Sequence, residues 1–128
     1  MKPMKRSDLF QLLRSQNWIV NRQGKEFITY AGLLYIAHQT GLTSVESRPV
    51  YEDYENGRFA FRATVKGLKK VNNEIVEMTF TDEGDASLKN VSTMIRPHVR
   101  RMASTRAIVR ALRLYTNVGL TSFEELSD

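Results

Sequence analysis

A chain of 128 residues, 41% hydrophobic and 26% charged, has the size and composition of one globular domain whose core needs no covalent staple. It has no cysteine, which excludes disulfides and thiolate zinc sites and fits a reducing, cytoplasmic setting. Its 19 Lys+Arg against 14 Asp+Glu give a formal charge of +5, which points to a polyanionic partner, nucleic acid or an anionic membrane.

The apolar runs are too short for a transmembrane helix, and the basic opening Met1-Lys2-Pro3-Met4-Lys5-Arg6 leads into no apolar signal region. No segment combines a broad apolar face with basic flanks, so no membrane partner is expected. Ser7-Asp8 before Leu9, Phe10, Leu12 and Leu13 predicts a capped amphipathic helix ending near Ser15. Trp18-Ile19-Val20 and Phe27-Ile28-Thr29 flank Arg22-Gln23-Gly24-Lys25, which predicts a hairpin. A helix follows from Ala31 to Gln39, with Gly41 as its left-handed terminator.

Val45 to Tyr54 alternates but contains Pro49, the mark of an edge or bulged strand. Asn56-Gly57 signals a hairpin into a strand from Arg58 to Leu68. A turn at Val71-Asn72-Asn73 leads to a strand from Glu74 to Thr81, with Val76, Met78 and Phe80 facing inward, and Asp82-Glu83-Gly84-Asp85 is expected to be a loop. A long helix from near Pro97 to Tyr115 ends at Asn117-Val118-Gly119, and Ser122 to Leu126 predicts a last helical turn. The order α, ββ, α, βββ, long α predicts an α+β fold, a curved antiparallel sheet packed on a helical layer. The chain is expected to be a single domain: an N-terminal helix over residues 1–16, a core over 17–120 and a tail over 121–128.

The charge is not spread evenly. Ala86 to Phe123 holds seven cations (Lys89, Arg96, Arg100, Arg101, Arg106, Arg110, Arg113) and no carboxylate, while the remainder has 12 cations against 14 acids. On a helix, Arg106, Arg110 and Arg113 fall within roughly 60° of each other, and Arg96 and Arg100 widen the stripe to roughly 140°. Like charges so placed repel unless anions compensate them. Those anions are either a nucleic-acid backbone or acids from elsewhere in the fold, such as Glu52, Asp53 and Glu55. Arg101 falls on another side with Thr105, Ile108 and Leu112, which predicts a buried or interface ion-pair partner rather than a nucleic-acid contact. In the strand from Arg58, alternation puts Arg58, Ala60, Arg62, Thr64 and Lys66 on one face and Phe59, Phe61, Ala63 and Val65 on the core face. The basic ladder is either a ligand surface or an ordinary solvated sheet face. Of the aromatics, Trp18 and Tyr115 are expected in the core; Tyr51 and Tyr54 are better placed than Tyr30 to stack on bases.

No motif signals bond chemistry. There is no P-loop, His38 and His98 have no metal-ligand spacing, and Ser104 and Thr105 lie mid-helix without a base. Asp82, Glu83 and Asp85 could hold a divalent ion, but a solvated turn is the simpler expectation, and no two-metal set can be assembled. No enzyme activity, catalytic residue, metal or cofactor is therefore expected.

Arg110-Ala111-Leu112-Arg113 with Tyr115 and Asn117 resembles the Arg-Ala-Leu-Arg-x-Phe-x-Asn segment of the Rad fifty-two family of single-strand annealing proteins. Ile28-Thr29-Tyr30-Ala31-Gly32 resembles that family's entry into its first core helix, and Asn56-Gly57-Arg58-Phe59 its central hairpin turn. Ala103-Ser104-Thr105-Arg106-Ala107 is similar to prokaryotic relatives of the DdrA type. The resemblance covers roughly Trp18 to Leu120. It implies a β-β-β-α core that assembles into a closed homo-oligomeric ring, with single-stranded DNA held by its phosphate backbone in an outer basic groove. It also implies ATP-independent annealing of complementary strands in recombination and DNA repair, in the company of other recombination proteins. Arg110 matches the groove helix's basic residue, Arg113 the motif arginine and Arg58 a basic hairpin position, while Val109 stands where the family often has a second cation. The recombinase-binding tail of eukaryotic relatives has no counterpart here. The nucleic-acid contacts expected together are Arg58, Arg62, Lys66, Arg96, Arg100, Arg106, Arg110 and Arg113. Alternatives are an RNA-binding or DNA-end-protecting module without annealing, and a nuclease using Asp82 to Asp85.

Overall fold

The computed structural model describes residues 5–126, so the basic opening residues 1–4 and the last two residues of the tail lie outside the described residues. Over that span the chain forms α1 (Arg6–Ser15), β1 (Ile19–Arg22), β2 (Lys25–Ile28), α2 (Tyr30–Thr40), β3 (Leu42–Asp53), β4 (Arg58–Val71), β5 (Glu74–Ser87) and α3 (Val99–Thr116). Strands β1 and β2 pair antiparallel, and β3, β4 and β5 form a second antiparallel sheet in that order. The fold class is α+β, with the expected order of elements. No helix among the described residues is long and apolar enough to cross a membrane.

Local chemistry explains most boundaries. The β1–β2 turn sets Gln23 and Gly24 at φ 53° and 82°, and the β4–β5 turn sets Asn72 and Asn73 at 51° and 66°. Two successive positive φ values match the right-handed twist of the flanking strands, and Asn and Gly tolerate them best. Thr29 caps α2 by accepting a bond from the Gly32 N–H at 3.2 Å. Gly41 ends α2 at φ 131°, and Asn117 ends α3 in the left-handed region at φ 50°. The N-cap of α1 is Lys5, with no side-chain bond, so Ser7 is inside the first turn and not the expected cap. Strand β3 is an edge strand, and its register slips between Pro49 and Tyr51, where proline has no N–H to give to the ladder.

The expected loop after β5 is also corrected. Asp82-Glu83-Gly84-Asp85 is not a loop: β5 runs through it to Ser87, in register with β4 from Arg58↔Ser87 to Val71↔Glu74. Gly84 looks like a turn residue but serves a close approach. A Cβ there would lie 2.2 Å from the Ala107 backbone nitrogen and 2.9 Å from the Ala103 carbonyl oxygen. Helix α3 therefore rests with its backbone against β5.

The core lies between the sheet and α3. Phe59, Phe61, Ala63 and Val65 of β4 are buried under Ala103, Ala107, Ala111, Leu112 and Tyr115 of α3. The fully buried Tyr115 satisfies its hydroxyl by donating to the Leu68 carbonyl at 2.8 Å. It packs over Gly67, where any side chain would collide with its ring. The tail folds back onto this layer: the Ile28 N–H bonds the Thr121 carbonyl at 3.0 Å, and Phe123–Glu125 form a 3-10 turn with a Ser122 capping box.

Candidate nucleic-acid interface

The arginine stripe of α3 is compensated from within the fold. Arg106 is only 4% exposed. Its guanidinium donates to the carbonyls of Asp85 (3.0 Å), Asn90 (3.1 Å), Glu124 (3.1 Å) and Leu126 (3.0 Å) and to Asn90 Oδ1 (3.1 Å). Burial lowers its pKa from the ordinary arginine value, and the nearby carboxylate of Asp85 acts in the opposite direction. It is a structural cross-link and not a groove contact, which corrects the expectation for this residue. Arg113 donates to both Glu125 oxygens at 2.7 and 2.8 Å. Arg110 donates to Glu125 Oε1 at 3.2 Å and to the Glu83 carbonyl at 3.0 Å. Glu125 is almost fully buried and also accepts from the Ser122 N–H at 2.9 Å. The local absence of acids in the helix is thus met by an acid twelve residues beyond Arg113. Removing Arg110 would disturb this clamp as well as any contact with an external anion.

On the outer face of the sheet, the ladder of Arg58, Arg62 and Lys66 is exposed as expected, with the apolar alternates buried. Pairing interleaves it with acids. Arg62 sits opposite Glu83 and bonds it at 2.7 Å, Asp53 sits opposite Arg58, and Asp85 opposite Ala60. This face is mixed in charge, not a continuous basic track. The strand geometry also turns Asp82 to the opposite face from Glu83 and Asp85. The three carboxylates do not converge, and among the described residues no group of three metal-ligating side chains forms.

Open cations such as Arg22, Lys25, Arg58 and Lys66 are scattered over the surface, and a further set lies on the segment that leads into α3. Lys89, Arg96, His98, Arg100 and Arg101 are all exposed, and residues 88–101 contain no carboxylate. Among the described residues, Lys89, Arg96 and Arg101 have no ion-pair partner, while Arg100 Nε donates to Glu52 at 2.8 Å. The Glu52 carboxyl is held below its usual pKa by that bond and by the Tyr54 hydroxyl, which donates at 2.7 Å. Glu52 is one of the acids weighed as an internal partner. Arg101, expected by helical phase on the side of Leu112 as an ion-pair partner, is instead exposed in the first turn of α3, with no ion-pair partner among the described residues. Phe61, Pro97, His98, Arg100, Arg101 and Ser104 line a cavity of about 360 Å³ there. The only sequence signal for it is the run of five basic residues, His included, between Lys89 and Arg101 with no acid among them.

The aromatics divide as expected. Trp18 is half-buried at the edge of the core, tilted 39° against Tyr35 with centroids 5.3 Å apart, and Tyr115 is core. Tyr51 and Tyr54 are exposed, Tyr54 at 71%. Tyr30 is half-buried at the start of α2, its N–H bonded to Glu124. No protein-family model matches the chain, and no curated protein matches it.

Proposed function

We propose that this chain binds single-stranded DNA without sequence preference through the open cations at the start of α3, and that assembled copies anneal complementary strands without ATP. The observation that carries this is the acid-free run from Leu88 to Arg101, whose exposed Lys89, Arg96 and Arg101 have no ion-pair partner among the described residues. Arginine suits phosphate because its fork gives two parallel bonds, and each neutralised phosphate releases counterions. Arg58, at the end of β4 that pairs with Ser87, extends the same role. Annealing needs no bond chemistry, only two strands held near each other with their repulsion reduced. Repeated copies supply this by avidity. Strands β3 and β5 each leave one side unpaired in the sheet, and a head-to-tail contact between such edges would close a ring or extend a filament.

The test is fluorescence anisotropy with a labelled oligonucleotide, together with quenching of two complementary labelled strands on annealing. The wild-type chain should bind, accelerate annealing and weaken steeply with salt. The double variant R96A/R101A should keep its fold, because both side chains are solvated. It should lose about tenfold or more in affinity, with a log–log salt slope shallower by roughly 1.4. Unchanged affinity and slope would remove these residues from the interface. Tight RNA binding without annealing would favour an RNA-binding module.

A further inference from the structure

The cavity at the start of α3 has a feature that a simple phosphate track does not need. The Arg100 guanidinium lies over the Phe61 ring, 5.0 Å from its centroid, and its side chain is 47% exposed. Phe61 itself is only 4% exposed, so the arginine forms a cation–π layer on the solvent side of the ring. That layer is held in place. Its Nε is bonded to Glu52, and Glu52 is bonded in turn to the Tyr54 hydroxyl. A guanidinium held over an aromatic ring offers a flat, cationic surface on which a base can stack.

We infer that Arg100 is a stacking platform for one unpaired nucleobase, seated in the cavity between Pro97 and Ser104, with the flanking phosphates on Arg96 and Arg101. This rests on the single-strand reading above and specifies what the site recognises. The cavity, about 360 Å³, is at the lower end of the range that holds small ligands. Base-on-guanidinium stacking tolerates any base, because every base has a π-face. A base inside a duplex is covered on both faces, so the platform selects single strands. Phosphate contacts alone would not.

The experiment compares an oligothymidine with the same strand carrying abasic sites, on the wild-type chain and on R100K. Lysine keeps the charge and removes the plane. The wild type should bind the abasic strand roughly tenfold more weakly than the intact one. R100K should bind the intact strand about as weakly as the wild type binds the abasic one, and should lose little more when the bases are removed. Equal wild-type affinity for the two strands overturns the platform while leaving the phosphate interface in place. Failure of the wild type to bind either strand overturns both. The wild-type comparison is independent of whether R100K folds.

Discussion

Replacing Gly84 by alanine should lower the thermal midpoint by roughly 10 °C or more. The added methyl would lie 2.2 Å from the Ala107 nitrogen, 2.6 Å from the Arg106 carbonyl carbon and 2.9 Å from the Ala103 oxygen. All three are helix backbone, so no side-chain rotation relieves the clash. Helix α3 must shift away from β5, and the shift loosens the contacts of Ala103, Ala107 and Ala111, all fully buried. Overpacking typically costs about 1–3 kcal/mol, and a backbone clash lies at or above the top of that range. Calorimetry or a dichroism melt reads the result. An unchanged midpoint would mean that β5 and α3 do not touch here, and would reinstate a loop at Asp82 to Asp85.

Arg106→Ala should cost about 3–5 kcal/mol in urea unfolding, with a shallower slope because the tail releases ahead of the main transition. The truncation leaves a cavity and removes the donors from four carbonyl oxygens and the Asn90 amide oxygen. Two of those carbonyls, from Glu124 and Leu126, belong to the tail, so the tail should detach before the sheet unfolds. Amide exchange at Ser122 and Glu125 should accelerate first, because Glu125 also anchors to Arg110 and Arg113. Arg106→Lys should recover only part of the loss, since an ammonium cannot span the same acceptors. Where the variant is still folded, its DNA affinity should match the wild type. A stable variant with weakened binding would return Arg106 to the interface.

Periodicity and turn chemistry carried most of the fold. The Gln23-Gly24 and Asn72-Asn73 turns, the bulge at Pro49 and the left-handed Asn117 are local, and a sequence states local preferences directly. Gly84 was misread because a glycine among acids has the signature of a turn, while its purpose is set by a helix twenty residues later. The site was less legible for the same reason. Compensation of Arg110 and Arg113 comes from Glu125, and compensation of Arg62 from Glu83 across a strand pair. Local charge density cannot reveal such partners. Helical phase puts Arg101 with Leu112, but in the first turn of α3 the side chain is exposed and escapes the packing that phase implies. Arg96 and Arg101 are exposed and Arg100 is half-exposed and bonded to Glu52, a difference set by Glu52 on β3 that the helix sequence does not contain.

The most direct measurement is amide chemical-shift mapping of the isotope-labelled chain titrated with an oligothymidine. Binding at the entry to α3 predicts that shifts concentrate in residues 88–104 and around Phe61, with Ile108 to Tyr115 and the outer sheet residues Thr64 and Thr81 unmoved. Shifts centred on Arg110, Arg113 and Glu125, or no shifts at saturating strand, would contradict it.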